Sequence, residues 1–146
     1  MYSRDLLRLG LSLAEQGRLS DFDGSAEVRS RACGSVVIAD VRLDGGRVVA
    51  FGQDVKACAV GQAAAAVLGE HVYALTRDGV DEARQLFYNY LNGLSDDLGS
   101  WPEMKMLAGV REHKGRHAAA LLPYDALIAA IDQAVSRSRN SATSES

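Results

Sequence analysis

The spacing of apolar residues divides the chain into a helical start, a strand-rich segment and a helical second half. Residues 2–16 place leucines among charged side chains, which is typical of an amphipathic helix that ends near Gly17. The pattern then changes to one with a period of two. This change marks the boundary between the first helix and a predicted sheet.

Alternating apolar positions predict antiparallel strands in the segment that follows. Residues 37–43 put apolar side chains at every second position, with Asp40 and Arg42 in the other, polar set. The Asp-Gly-Gly sequence at 44–46 is a strong hairpin signal, and RVVAFGQ resumes the strand pattern. Residues 26–31 can add a third strand. The sequence therefore predicts a small antiparallel sheet.

Helical patterns return after the hairpin. The alanine-rich stretch ACAVGQAAAAVLGEH predicts a helix ending near Gly69, and VDEARQLFYNYLNGL predicts an amphipathic one. HAAALLPYDALIAAIDQAV predicts a last helix with a kink or restart at Pro123. We therefore expect an α+β domain over residues 1–135, with helices packed on one face of a three-stranded sheet, and a flexible polar tail over residues 136–146.

Composition and charge narrow the function classes. The chain has 146 residues, 47% of them hydrophobic and 24% charged, which suits one globular domain. The net charge of −3 gives no broad basic footprint for nucleic acid, and we expect no membrane span. With two cysteines and no export signal in the sequence, we expect a cytoplasmic protein without a structural disulfide.

The two cysteines are the first candidates for chemistry. Their spacing specifies no metal motif by itself. Cys58 lies close to a predicted helix start, where the helix dipole favours a thiolate, the form that binds metal or accepts sulfur. The alternative is that Cys33 and Cys58 are small buried apolar residues.

The histidines and acids give weaker signals. His71 follows the alanine-rich helix and is expected to cap it at the surface. His113 and His117 have the i, i+4 spacing of two metal ligands on one helix face, but Gly115 and cationic neighbours between them favour a solvated turn. The aspartates at 96–97 are expected to have turn and cap roles.

Three short motifs occur in order along the chain. They are Ala32-Cys33-Gly34-Ser35, Ala57-Cys58-Ala59-Val60 and LAGVREHKGRHAAALLPYDAL at 107–127. Together they resemble the NifU N-terminal-like family of iron–sulfur cluster assembly scaffolds, which includes IscU and SufU. That family has Cys-Gly-Asp at its first hairpin, Gly-Cys before an Ala/Ser-rich helix and a third cysteine at a late helix. Ser35 stands where the family has aspartate, and Ala119 where it has the third cysteine.

The resemblance implies a non-enzymatic scaffold that accepts sulfur from a cysteine desulfurase, adds iron and passes the cluster to acceptor apoproteins. It implies Cys33 and Cys58 as ligands of an iron–sulfur cluster or zinc. Because such metals take about four ligands, the set must be completed by His117, by a second copy of the chain, or by exogenous thiol or water. The alternatives are a metal-free interaction or regulatory module and a sulfur relay through Cys58.

Overall fold

The structure, a computed structural model, describes the backbone of residues 4–12 and 17–144 and the side chains within these ranges up to residue 140. Parts of the predicted first helix (2–3 and 13–16) lie outside the described residues. The elements, in chain order, are α1 (Arg4–Ser12), β1 (Gly24–Arg29), β2 (Val36–Asp44), β3 (Arg47–Lys56), α2 (Ala59–His71), α3 (Arg77–Leu91), a first 3₁₀ segment (Pro102–Glu112), a second 3₁₀ segment (Lys114–Arg116) and α4 (His117–Ser144).

The three strands form one antiparallel sheet in the order β1-β2-β3. In the middle of the sheet Val41 pairs with Gly24 on one side and Phe51 on the other. The turn between β2 and β3 places Gly45 and Gly46 at positive φ, a conformation that glycine adopts without steric cost. The predicted hairpin, the third strand and the α+β class are confirmed.

One face of the sheet carries the core. The predicted apolar alternation is confirmed, because Val37, Ala39 and Val41 are all buried. Helix α4 packs against β1 and β2 on this face. At Gly24 the helix comes so close that a Cβ atom would overlap the backbone of α4 near Ala130. Helices therefore cover one face, as predicted.

The opposite face is covered in part by the chain that leads into the sheet. Asp40, which the alternation placed in the polar set, is fully buried. Its carboxylate accepts hydrogen bonds from the Arg18 guanidinium at 3.0 and 3.1 Å, from the Leu19 amide at 3.1 Å and from the Ser25 hydroxyl at 2.6 Å. A Cβ atom on Gly52 would lie 2.6 Å from the Leu19 nitrogen. The 17–19 segment is thus held tightly against this face.

Asp40 is ionised in this setting. Burial alone raises the pKa of its carboxyl group, but the hydrogen bonds from Arg18 and Ser25 and the charge of Arg18 outweigh burial, so the pKa lies below its usual value. A buried charge that is paired and hydrogen-bonded in this way links the segment after α1 to the centre of β2.

The helices differ from the prediction mainly at their ends. Helix α2 continues past Gly69, which is buried within it, to His71. Between α3 and α4 the chain forms the first 3₁₀ segment, Pro102–Glu112. Helix α4 contains Pro123 and continues beyond Val135 to Ser144, so its last turns fall in the predicted tail, whose flexibility stays a prediction.

Helix α4 is also apolar and long. Within the part of the chain that the structure describes, Lys114–Asn140 is the one stretch with the length and composition to cross a membrane. Of the apolar 18-residue segment within this stretch, 61% is buried in the protein, and α4 lies against the sheet. Burial of this extent is typical of the central helix of a core.

Candidate functional site

The first cysteine lies on a tight turn that leads into β2. The Ser30 amide donates to the Ser35 carbonyl and the Gly34 amide donates to the Ser30 carbonyl, each at 2.9 Å. Gly34 has a φ of 74°, which a residue with a side chain rarely adopts. This turn exposes Cys33, whereas Ser35 is buried.

The surroundings of Cys33 favour its thiolate. Partial burial raises the pKa of the thiol, but hydrogen bonds with Ser30 and Ser35 and the positive charge of Arg116 outweigh burial, and the pKa lies below its ordinary value. The Cys33 Sγ atom lies 3.1 Å from the Ser35 Oγ atom. Because the thiolate is the nucleophile and the metal ligand, Cys33 is suited to both kinds of chemistry.

The second cysteine lies at the start of α2, as predicted. Cys58 is the N-cap residue, with extended backbone angles, and its carbonyl accepts the hydrogen bond of the Gln62 amide at 3.0 Å. Its side chain makes no capping hydrogen bond and is partly exposed. The thiol is therefore not used to satisfy the helix end.

The strand register brings both cysteines to one edge of the sheet. Val36, the first residue of β2, pairs with Lys56, the last residue of β3. Cys33 precedes Val36 by one short turn, and Cys58 follows Lys56 by two residues. Because these strands are antiparallel, the two cysteines leave the sheet on the same side.

The third region of the resemblance meets the first two at this edge. A Cβ atom on Gly61, in the first turn of α2, would lie 3.5 Å from the Ala119 Cβ atom. Arg116, three residues before Ala119, acts electrostatically on Cys33. The three motifs therefore converge, but Ala119 is buried and its side chain offers no donor atom.

His117 lies beside this region, and its ring is already hydrogen-bonded. Its Nε2 atom lies 3.1 Å from the carbonyl oxygens of both Val110 and Arg111, so this nitrogen donates to the backbone. A metal would have to use Nδ1. His113 is exposed and separates the two 3₁₀ segments, so the pair does not share one helix face and the two-histidine alternative is wrong.

The chain offers half of the thiolates that an iron–sulfur cluster takes. Clusters of the [2Fe–2S] and [4Fe–4S] types are held by four thiolates. One chain supplies the sulfur atoms of Cys33 and Cys58 and, next to Cys33, the hydroxyl of Ser35, to which the Cys33 thiol is hydrogen-bonded. A complete thiolate set requires two further sulfur ligands.

Two arrangements were not predicted from the sequence. Arg116, a cationic neighbour of the histidines, also acts on Cys33. Away from the cysteines, His71 is the last residue of α2 and not its C-cap, which is Val72; its ring stacks on Trp101 and its Nε2 atom lies 2.8 Å from a Glu103 oxygen. Both arrangements join distant parts of the sequence. Asp97 has the predicted turn contact, since its carboxylate accepts a hydrogen bond from the Gly99 amide at 2.8 Å, whereas Asp96 forms an ion pair with Arg111.

Comparison with known proteins gives matches among solved structures. No family model and no curated protein matches the chain. The N-terminal part of a nitrogen-fixing NifU-like protein from Brucella abortus is 33% identical, with a TM-score of 0.84 over 92% of this chain and 94% of that one. A SufU protein of the SUF system from Fervidobacterium islandicum is 22% identical, with a TM-score of 0.80 over 89% and 96% of the two chains.

A third solved structure, of a hypothetical protein, is 19% identical, with a TM-score of 0.70 over 86% of this chain and 97% of that one. For this protein and for the SufU protein the identity is low, so the likeness concerns the fold alone. The Brucella protein also shares one residue in three over nearly its whole length. The chain therefore belongs to the NifU-like family, whose fold it shares with SufU.

Proposed function

We propose that this chain is a scaffold-like protein of iron–sulfur cluster assembly, which accepts sulfur and iron at Cys33 and Cys58 and passes the cluster on. The observation that carries the proposal is the convergence of three family motifs at one edge of the sheet. The SufU protein of the same fold is described as an assembly scaffold for iron–sulfur clusters. In this role the protein binds and releases its cargo and needs no catalytic group.

Cys33 is the better first acceptor of sulfur. It is exposed on a turn, and its pKa lies below the ordinary value. Its thiolate attacks the outer sulfur of a persulfide on a cysteine desulfurase. The sulfur–sulfur bond of the desulfurase breaks, a new one forms on Cys33, and the desulfurase cysteine leaves as a thiolate. This assignment replaces the expectation that the helix start makes Cys58 the acceptor.

Two copies of the chain complete the ligand set. Each copy contributes Cys33 and Cys58, so two copies supply the four thiolates that a [2Fe–2S] cluster takes. Cys33 is exposed and Cys58 is partly exposed, so a second copy can reach both sulfur atoms. Four ligands from two surfaces also make release to an acceptor apoprotein straightforward, because separation of the copies opens the site.

Anaerobic reconstitution with ferrous iron and sulfide tests the proposal. We expect visible sulfur-to-iron charge-transfer absorption in the wild type and its loss in both Cys33→Ser and Cys58→Ser. His113→Ala, which changes an exposed residue outside the site, is the matched control and keeps the absorption. The proposal fails if the wild type shows no absorption, or if the serine variants keep it.

The second candidate is a metal-free interaction or regulatory module that docks a desulfurase or another partner. Ser35 and Ala119 at two of the family's ligand positions favour it. Metal analysis of protein purified without oxygen separates the two candidates. Stoichiometric iron or zinc that is lost in the Cys33→Ser and Cys58→Ser variants supports the scaffold. A folded protein whose metal content does not depend on these cysteines, and that also resists reconstitution, supports the module. Both candidates place the protein in the cytoplasm, where thiols stay reduced.

A further inference from the structure

A second cluster of ligand-type side chains lies at the far end of α2 from Cys58. Glu70 and His71 end this helix, and Glu103 lies at the start of the first 3₁₀ segment. One ligand atom from each of these residues lies within 4.8 Å of the other two, and the His71 Nε2 atom is 2.8 Å from a Glu103 carboxylate oxygen. The cluster thus combines one imidazole with two carboxylates from two separate segments.

The histidine of this cluster is held in place by an aromatic ring. The rings of His71 and Trp101 are stacked, with centroids 4.9 Å apart and planes inclined by 7°. His71 and Glu103 are each about one-quarter exposed, so both are partly shielded from solvent. Metal-binding histidines in proteins are usually held by contacts outside the metal itself. The stacking fixes the plane in which the imidazole nitrogen points towards Glu103.

The charges of the cluster favour a cation. Glu70 and Glu103 each place a carboxylate oxygen within 4.8 Å of the other, which brings two carboxyl groups together. Two ionised carboxylates at this range repel each other, and His71 compensates only one charge, and only when protonated. A divalent cation among the three groups would balance both carboxylates.

We propose that Glu70, His71 and Glu103 form a binding site for one divalent first-row transition-metal ion, with zinc as the best match. A set of one imidazole and two carboxylates suits zinc, manganese and ferrous iron rather than the soft ions that prefer thiolates. Three protein ligands leave a fourth position for water, as in open zinc sites. This site is separate from Cys33 and Cys58 and does not depend on the scaffold role.

Small side-chain movements bring the three groups to metal-binding geometry. With metal–ligand distances of about 2.1 Å, two ligand atoms of a tetrahedral ion lie about 3.4 Å apart. No pair of ligand atoms therefore has to approach by more than about 1.4 Å, because all of them lie within 4.8 Å of one another, and the His71–Glu103 pair opens by about 0.6 Å from 2.8 Å. Glu70 is exposed, so its side chain is free to turn inward. The bound ion would tie the end of α2 to the first 3₁₀ segment.

Zinc titration of a protein without thiols tests the proposal. In the Cys33→Ser/Cys58→Ser double variant, isothermal titration calorimetry should still give one bound Zn²⁺ per chain. In that background Glu103→Gln and His71→Ala should each weaken binding about tenfold or more. The matched controls are Glu112→Gln and His113→Ala, which change exposed residues of the same types at the other end of the 3₁₀ segment and should leave the affinity unchanged.

A second measurement distinguishes a loss of zinc binding from a loss of folding. Glu70→Gln changes an exposed side chain and should also weaken zinc binding, while circular dichroism and the metal-free Tm stay as in the parent. Zinc should raise the Tm of the parent and of both controls, but not that of the ligand variants. The proposal is overturned if the thiol-free parent binds no zinc, or if the ligand variants bind it as tightly as the controls. Neither result bears on cluster assembly, which uses Cys33 and Cys58.

Discussion

Replacing Asp40 with alanine tests how the chain before the sheet is held in place. The carboxylate is fully buried and accepts four hydrogen bonds, two from Arg18 and one each from Leu19 and Ser25. Asp40→Ala removes the common acceptor of all four. The 17–19 segment, which leads from α1 and crosses the sheet at Gly52, then loses its main polar contact with β2.

The loss of stability depends on whether each hydrogen-bond donor finds a new acceptor after the substitution. A hydrogen bond to a charged group contributes about 1.5–3 kcal/mol. The Arg18 side chain is 45% exposed and regains water, so its ion pair with Asp40 counts for little. The Leu19 amide and the Ser25 hydroxyl lose their acceptor in a partly buried place. Two such hydrogen bonds are lost without replacement, so we expect Asp40→Ala to lower the free energy of unfolding by about 3–6 kcal/mol.

The effect has a definite pH dependence. The pKa of Asp40 in the folded protein lies below its usual value of 3.8, so its contribution is fully present above that pH. It is lost as the pH falls through the lower, folded-state pKa. The difference in stability between wild type and Asp40→Ala should therefore be constant near neutral pH and shrink in acid below about 3.8.

Urea denaturation at neutral and acidic pH measures both quantities. Asp54→Ala, which removes an exposed aspartate from the neighbouring strand, is the matched control and should change stability by less than about 0.5 kcal/mol. A loss in Asp40→Ala no larger than in this control would refute the reasoning. So would a loss that stays constant into acid.

Three further predictions concern the packing and the cysteine site. Gly24→Ala should lower the free energy of unfolding by about 1–3 kcal/mol in thermal denaturation, because its Cβ atom would overlap α4, and an unchanged Tm would contradict the close approach. Ala119→Cys should slow the loss of iron from the reconstituted protein on exposure to a chelator, because it places a third thiol beside Gly61. An unchanged rate of iron loss argues against a ligand pocket at this position. The rate of Cys33 alkylation should reach its plateau at a lower pH than for an ordinary thiol. Arg116→Gln should shift this pH profile to higher pH, whereas an identical profile excludes a role for the Arg116 charge.

The type and order of the elements could be predicted from the sequence because local patterns determine them. Three local patterns each predict one element. They are the alternation from Val37 to Leu43, the Gly45-Gly46 turn and the alanine-rich run of α2. The motifs around Cys33 and Cys58 indicated that the two cysteines belong to one site, and the structure places both at the same edge of the sheet. These features need no knowledge of distant residues.

Apart from the helix ends, the features that the sequence did not predict depend on distant contacts. Asp40 follows the polar set of β2 and is nevertheless buried, because Arg18, 22 positions earlier, crosses above it. His71 and Glu103 are 32 positions apart, and only the packing of the first 3₁₀ segment against α2 makes them neighbours. Tertiary contacts of this kind leave no periodic signal in a single sequence.

Native mass spectrometry of the anaerobically reconstituted protein tests the central claim most directly. The claim is that Cys33 and Cys58 of two copies together hold one cluster. It predicts a species of two chains with one [2Fe–2S] cluster, which is absent from both Cys33→Ser and Cys58→Ser. Iron-free single chains as the only species after reconstitution, or a cluster that persists in both serine variants, would contradict it.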